Sequence, residues 1–483
     1  MHVHLIGICG TGMGALAALL HEDGDQVSGS DVAFDPPVGP MLEGLGVRCL
    51  AGYEPGHLDP KPDLVVVGNA IRQTNPEANE AERLGVARAS MSETLRRRFL
   101  SKRRPLVVAG THGKTTTTAM CAWTLLQAGL EPGWFIGGVP KGLPGSAARG
   151  GARVRPDRGR APFVVEGDEY DAVYWAKHPK FLDYVGVTPD EVAIVTSIEH
   201  DHIDIYPDSA SYEEAFRAFV RRIPPGGLLV CDAHDPRVRA VVSEEAKARI
   251  AWVALDGDDT GDKTPTWLGA PAGPAVDGAS AFDLFAGGVS CGRFFLRLPG
   301  RHNVRNAIAT LAACAEGFGV SPTDARGYLA SFEGVRRRQD LIGKPRGVFV
   351  YDDFAHHPTA VDETLRALRG RHSTGALWAV FEPRSATACR SLHQEAYASS
   401  FAAADHVLLA PLGRSNVPEA ERLDLDRLTR DLGPRARAMP SVPTIVADIA
   451  SRARPGDCIA ILSNGTFGGI HRMLLDALEA VND

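Results

Sequence analysis

PLVVAGTHGKTTTT, residues 105–118, is the stretch on which the reading of this chain turns. Leu106 to Ala109 form an apolar run of strand character. It breaks at Gly110-Thr111-His112-Gly113-Lys114-Thr115 and passes into a helical segment, AMCAWTLLQAGL. A strand, a glycine turn, Lys-Thr and a helix N-terminus together make a phosphate cradle. Backbone N–H groups and the positive end of the helix dipole face the anion there. Lys114 is placed to reach the β- and γ-phosphates of a nucleotide, and the Thr115 hydroxyl to bind Mg²⁺. The spacing departs from G-x-x-x-x-G-K-[ST]: position 108 is Val, and Gly110 precedes Gly113 by only three residues. The strand-to-helix junction nevertheless predicts a nucleoside triphosphate site.

A chain of 483 residues exceeds one ordinary core, so two to four domains are expected. A hydrophobic content of 44% and a charged content of 23% belong to the globular class. The net charge of −7, with no massed Lys/Arg block, argues against a nucleic-acid partner. No apolar run approaches the roughly 20 residues of a membrane span, and MHVHLIGICG lacks the basic and apolar regions of a signal peptide. The eight cysteines, at 9, 49, 121, 231, 291, 314, 389 and 458, include no C-x-x-C pair. That pattern suits reduced thiols in a cytoplasm.

Outward toward the N-terminus, residues 2–8 read as a buried strand. The glycine turn Gly7 to Gly14 follows, then the helical run ALAALLHEDG and a second strand, QVSGSD, ending at Asp31. This is a βαβ opening of dinucleotide type. Alone it suggests NAD, but the same backbone serves any diphosphate, including a UDP-type one. Strands at 46–50 and 63–68 follow. The polar loop after the latter, Asn69 to Glu77, reads either as an edge of the first ligand site or as a turn in which Asn75 caps a helix. The basic cluster Arg96-Arg97-Arg98 to Lys102-Arg103-Arg104 reads as a solvated helix end and linker, with the first boundary near 104.

Downstream of the cradle, a Gly/Arg/Pro-rich stretch at 141–161 reads as a mobile loop. A strand, Pro162 to Glu166, delivers Glu166-Gly167-Asp168-Glu169-Tyr170-Asp171, and another, Val192 to Ser197, delivers Glu199-His200-Asp201-His202. Carboxylates at strand ends beside a phosphate cradle are the usual means of holding Mg²⁺. Residues 252–290 suggest a small β-excursion at the sheet edge. Gly300 to Asn306 opens an apolar helix, with Asn303 as a candidate N-cap and Asn306 better placed for a base edge. Arg336-Arg337-Arg338 ends this region at a hinge, where an arginine could close on a triphosphate. The last region alternates strands (348–351, 377–381, 406–410, 457–462) with helices, a second doubly wound unit. Its polar clusters all sit at strand C-termini, the ligand edge of such sheets.

With these pieces laid out, the chain resembles the Mur ligase family over nearly its whole length. The stretches that carry the resemblance are GICGTGMG, VSGSD, GTHGKTTT, EGDEYD, HDHID, GRHNVRN, GVRRR, YDDFAHHPT and EPRS, all in order. The resemblance implies an α/β chain of three domains. A Rossmann-like domain at 1–104 would bind UDP-N-acetylmuramate, a P-loop ATPase domain at 105–340 would bind ATP and Mg²⁺, and a Rossmann-like domain at 341–483 would receive the amine and close over ATP. It implies an ATP-dependent, ADP-forming amide ligase of the cytoplasm. The stretches GNA (68–70), PGWFIGGVP (132–140), EPRSAT (382–387) and SNGTFGGIH (463–471) favour the murein tripeptide L-Ala-γ-D-Glu-meso-diaminopimelate as the amine, with L-alanine the alternative.

Residue by residue, the resemblance assigns Gly110, Thr111, His112, Gly113, Lys114, Thr115 and Thr116 to the phosphates and Asn306 to the adenine side. Arg337 and Asp353 are assigned to contacts made on closure. Thr115, Glu169 and His202 would hold the metal, and Lys114, His202, Arg337 and His356 would serve the chemistry. Gly10, Thr11, Gly12, Met13, Ser30, Asp31, Asn69 and Ala70 would meet the UDP-sugar, and Arg384 the carboxylate of the incoming amine. One departure stands out. Several relatives carry a carbamate-modified lysine about fourteen residues beyond the metal histidine, and the corresponding residue here is Phe216.

Overall fold

In the computed structural model, residues 1–151, 154–155, 159–274 and 278–480 are described. Among the described residues, three large sheets carry the chain, beside two two-stranded hairpins. The first is wholly parallel, built from β1 (His2–Ile6), β2 (Gln26–Asp31), β3 (Arg48–Ala51), β4 (Leu64–Val67) and β5 (Ala87–Ser90) in the order β3-β2-β1-β4-β5. Helix α1 (Thr11–Glu22) follows β1, α2 (Pro76–Arg83) follows β4, and α3 (Met91–Arg98) follows β5.

The middle sheet has ten strands among the described residues. They are β6 (Arg104–Ala109), β7 (Gly133–Phe135), β8 (Ala147–Ala148), β9 (Pro162–Glu166), β10 (Val192–Val195), β11 (Leu228–Asp232), β12 (Arg249–Leu255), β13 (Trp267–Pro274), β14 (Ser280–Ala286) and β15 (Val289–Leu296). Their order is β15-β14-β13-β12-β11-β10-β6-β9-β7-β8. β6 lies between β10 and β9, and Leu106 to Ala109 are completely buried. A parallel strand covered by helices on both faces must be apolar throughout, which is why LVVA does not alternate. The cradle helix α4 (Lys114–Gln127) and helix α5 (Ser209–Arg222) belong to this unit, as does α6 (Arg301–Ala312). The excursion at 252–290 is the antiparallel β13-β14-β15 extension of the same sheet. The loop expected at 141–161 instead contributes β8, which pairs antiparallel with β7; residues 152–153 and 156–158 of it lie outside the described residues.

The third sheet has the order β16-β17-β20-β18-β19-edge, where β16 is Asp340–Gly343, β17 Phe349–Asp353, β18 Leu377–Phe381, β19 His406–Leu409 and β20 Cys458–Leu462; Ala436–Ala438 forms the edge strand. Helix α7 (Pro358–Arg371) follows β17. A boundary drawn between 340 and 341 falls inside β16, whose Asp340 already pairs with Asp352. The fold is α/β throughout, and no described helix is long and apolar enough to cross a membrane.

Two sequence expectations are corrected here. The basic cluster at 96–104 is not a solvated linker. Arg96 donates to the carbonyls of Asp183 (2.8 Å), Val185 (3.1 Å) and Gly186 (2.9 Å), and Arg98 pairs with Asp23 and Asp25. Arg103 is buried and Arg104 opens β6, while Arg97 and Lys102 are exposed. Guanidinium groups present several donors in a fixed fork, and here they bond backbone carbonyls across the junction of the first two sheets. Val173, on the hairpin of Asp171–Val173 with Ala176–Pro179, packs into the apolar cluster of Ile6, Val65 and Val67 and strengthens that junction. Asn303 is not an N-cap either: Gly300 caps α6, and the Asn303 amide, a turn inside, donates to the Pro299 carbonyl.

Candidate active site

The cradle forms because its two glycines admit neighbours that any side chain would displace. Gly110 has φ +135°, and a Cβ there would lie 2.1 Å from Thr196 Oγ1; Gly113 has φ +80°, and its Cβ would lie 2.5 Å from Asn306 Oδ1. The second contact places Asn306, on α6, directly under the turn. Thr111 and His112 turn their side chains away from the cradle mouth. The Thr111 hydroxyl donates to the Glu199 carbonyl (2.9 Å) and meets the Tyr212 hydroxyl (3.0 Å), and His112 Nε2 lies 2.8 Å from Glu199 Oε2. The first-turn N–H groups of α4, which have no intrahelical partners, remain to meet an anion. Thr116, the third residue of α4, is buried.

Lys114 Nζ donates to the carbonyls of Gly110 (2.6 Å) and Thr111 (3.2 Å) and to Glu169 Oε1 (2.8 Å). His202 Nε2 lies 3.1 Å from the same Glu169 oxygen, and its backbone sits at φ +54°. Burial pushes the Glu169 carboxyl up, but the Lys114 ammonium and the His202 bond outweigh it and hold the group below the usual range. Its other oxygen, Oε2, is buried without a hydrogen-bond partner. An orphaned, ionised carboxylate oxygen fits a divalent cation. Thr115 Oγ1 donates to Glu166 Oε1 (2.7 Å), whose second oxygen accepts from the Gly137 N–H (2.6 Å). Hydroxyl, two carboxylates and one imidazole make an oxygen-rich donor set of the kind Mg²⁺ takes.

Helix α5 supplies the wall behind these groups. Phe216 is fully buried, its ring 5.3 Å from those of Phe181 and Tyr212. One turn earlier, Tyr212 brings its hydroxyl to Thr111 and to within 3.5 Å of Glu169 Oε1. The polar group that α5 directs into the site is therefore this phenol, whose pKa burial raises far above its ordinary value.

The arginines at the hinge separate in a way that spacing alone did not reveal. Arg338 points to the cradle, with Nη2 3.3 Å from Thr115 Oγ1 and its guanidinium over the Phe354 ring. Arg337, at φ +60°, turns to the third sheet and donates to the carbonyls of Ser463 (2.8 Å) and Gly465 (2.6 Å). Asp353 is buried and accepts from the N–H groups of Gln339 and Ala355, which fixes the hinge. The third sheet meets the middle one through His356, 3.5 Å from Asp201, and through the Thr359 hydroxyl, which donates to Glu199 Oε1 (2.9 Å). Arg384 follows β18 and is half-exposed, 3.4 Å from Glu382. Gly413 and Gly465 flank it so closely that a Cβ on Gly465 would lie 2.1 Å from its Cδ.

At the first sheet, the turn after β1 and the loop after β4 share the C-terminal strand edge. Gly10, Thr11, Asn69 and Ala70 are exposed there, and Gly12 is partly so. Met13 is buried in the core, and the Ser30 hydroxyl is spent on buried Glu77. Asp31 accepts from the Cys9 N–H (2.9 Å), the Val32 N–H (2.7 Å) and the Tyr53 hydroxyl (3.3 Å), so it braces the glycine turn from behind. Asn75 caps α2, accepting from the N–H groups of Glu77 and Ala78. Sequence reasoning passed over Glu166, Arg338 and Tyr212 as individual site residues. Glu166 had a signal, since it is the last residue of the strand beside the cradle.

Comparison with known proteins places the chain in a family. Family models match at residues 2–103 (Mur ligase family, catalytic domain), 176–314 (Mur ligase middle domain) and 337–465 (Mur ligase, glutamate ligase domain). The UDP-N-acetylmuramate–L-alanyl-γ-D-glutamyl-meso-2,6-diaminoheptandioate ligase of Escherichia coli is 36% identical over 479 residues, 99% of this chain and 98% of that protein. The UDP-N-acetylmuramate–L-alanine ligase of Kineococcus radiotolerans is also 36% identical, over 99% of this chain and 96% of its own. The crystal structure of a murein peptide ligase from Psychrobacter arcticus superposes with a TM-score of 0.72 at 33% identity and covers both chains completely. The chain belongs to the Mur ligase family, as an ATP-dependent, ADP-forming amide ligase.

Proposed function

We propose that the chain joins UDP-N-acetylmuramate to the tripeptide L-Ala-γ-D-Glu-meso-diaminopimelate, in peptidoglycan recycling. Residues 1–104 take the UDP-sugar at the Gly10–Gly12 turn and at Asn69 and Ala70. Residues 105–340 take ATP, and residues 341–483 take the peptide. The observation that carries the tripeptide reading is Arg384, a half-exposed guanidinium at the mouth of the third sheet, seated between two glycines. A planar cation there suits the distal carboxylates of a long substrate, and L-alanine offers only one carboxylate. The end-to-end likeness to the E. coli tripeptide ligase supports the same reading.

The muramate carboxylate oxygen attacks the γ-phosphorus in line, ADP leaves, and an acyl phosphate forms. The α-amine of the peptide then attacks the acyl carbon and phosphate departs. Such transfers depend on positioning and charge neutralisation. Lys114 and Arg338 supply cations at the cradle, and Asn306 and the Gly113 turn seat the nucleotide. Mg²⁺, held by Thr115, Glu166, Glu169 and His202, would neutralise phosphate charge. The amine must lose a proton; His202 is engaged by Glu169, whereas His356 Nε2, 3.5 Å from Asp201, makes no hydrogen bond, so His356 is assigned that proton.

The test is phosphate release with ATP, Mg²⁺ and UDP-N-acetylmuramate, offering either the tripeptide or L-alanine. A clear preference for L-alanine replaces this reading by that of the L-alanine ligase. Arg384→Ala should lower kcat/KM for the tripeptide by about 2–4 kcal/mol, roughly 30- to 1,000-fold. The KM for ATP and for UDP-N-acetylmuramate should stay near wild type. An unchanged kcat/KM removes Arg384 from the peptide site. Glu169→Ala and His202→Ala should each raise the Mg²⁺ concentration needed for half-maximal rate, with partial recovery at high Mg²⁺ or with Mn²⁺. Wild-type metal dependence in both variants would refute their role as ligands.

A further inference from the structure

A second cluster of metal-binding side chains lies where the middle and third sheets meet, apart from Glu169 and His202. Three segments converge on it: His112 from the cradle turn, Glu199 from the loop after β10, and His357, which caps α7 in the third unit. Their ligand atoms all lie within 4.8 Å of one another. His112 Nε2 is 2.8 Å and His357 Nδ1 3.7 Å from the same oxygen, Glu199 Oε2. Donors bound tetrahedrally at about 2.0–2.1 Å stand about 3.3 Å apart, midway between those two distances. Small side-chain shifts would therefore complete the geometry. His357 Nδ1 is otherwise engaged only by a long 3.4 Å bond from the Thr359 N–H, and its Nε2 is buried without a partner. The His393 ring stands against it, 4.6 Å away.

We propose that His112, Glu199 and His357 form a site for a borderline transition-metal ion of the Zn²⁺ class, bridging the nucleotide cradle to the third sheet. Two imidazoles and one carboxylate favour Zn²⁺ over the hard, oxygen-seeking Mg²⁺. Metal binding needs these ligands deprotonated, and the ion would displace the proton shared between His112 Nε2 and Glu199 Oε2. Burial would raise the Glu199 carboxyl, but the hydrogen bond from His112 leads the interactions that hold it down at about 2; burial lowers His357 to about 3. An ion at this position ties the cradle to α7 across the boundary between the two units. Opening and product release limit turnover in many enzymes that close over their substrates, so an ion that holds the cradle to α7 would act as an inhibitory clamp.

The site is tested on the full-length chain, stripped with chelator and returned to saturating Mg²⁺. Co²⁺ alone is then titrated while its visible absorption is followed. The expected result is one Mg²⁺-resistant Co²⁺ per chain, displaced by Zn²⁺ and retained in His202→Ala. Its affinity should fall about tenfold or more in His357→Gln and in His112→Gln. The two variants remove ligands from different units, so misfolding of one leaves the other decisive. Absence of Mg²⁺-resistant Co²⁺ binding, or equal affinity in the folded variants, overturns the proposal and leaves a hydrogen-bonded contact. This binding readout does not depend on the tripeptide reading, which stands or falls on assays of phosphate release in Mg²⁺ without added transition metal. In a parallel phosphate-release assay, added Zn²⁺ should inhibit the wild type at concentrations about tenfold below those needed for His357→Gln; equal sensitivity refutes the clamp.

Discussion

Lys114→Ala should reduce phosphate release by about 10³-fold or more while leaving UDP-N-acetylmuramate binding near wild type. The ammonium sits at the start of α4 and is shared by the Gly110 and Thr111 carbonyls and by Glu169. A nucleotide entering the cradle brings phosphate oxygens to that same cation, and their negative charge grows most on the transferring group. Loss of a preorganised charge at such a position typically costs about 10²–10³ in kcat. Here the loss also leaves buried Glu169 without its strongest counter-charge. The proposed UDP-sugar turn belongs to a different sheet, which Lys114 does not touch. Calorimetry with UDP-N-acetylmuramate, beside a phosphate-release assay, separates the two effects. Equal loss of both ligands would show that the two glycine turns do not serve separate sites.

Arg338→Ala is expected to lower kcat by about 10³-fold or more, the scale of an arginine that meets transferring phosphate. Arg337→Ala should have a much smaller effect on kcat. The two are neighbours, yet their guanidinium groups diverge: Arg338 lies by Thr115, and Arg337 holds the carbonyls of Ser463 and Gly465. Arg337→Ala therefore acts on the third unit. Its lost bonds are worth on the order of 1–3 kcal/mol given partial exposure, read as a lowered Tm. Arg338→Lys should recover only part of the rate, because an ammonium cannot reproduce the planar fork over Phe354. A larger kcat loss in Arg337→Ala than in Arg338→Ala would reverse the assignment.

Much of the architecture was legible before any coordinate. β6 and α4 follow from a local rule: an apolar run, then glycines free to take positive φ, then a helix start. The strand ends at Asp31, Glu166, Phe381 and Leu462 were marked by the same change from apolar to polar residues. Strand alternation with helices then restricts the answer to doubly wound sheets with ligand groups at one edge.

Side-chain direction was not legible, because it depends on what other segments bring up against each residue. Within GICGTGMG and VSGSD, Met13 and Ser30 read as ligand groups, but core packing takes Met13 and Glu77, 47 residues away, takes Ser30. RRR at 336–338 is one charge run in sequence, and only the approach of Thr115 from one side and of residues 463–465 from the other gives its members different partners. Local chain chemistry thus determined the strands, turns and helix starts of this protein. Contacts between segments up to 245 residues apart, as between His112 and His357, were decided only by the tertiary structure, since no local period or propensity encodes them.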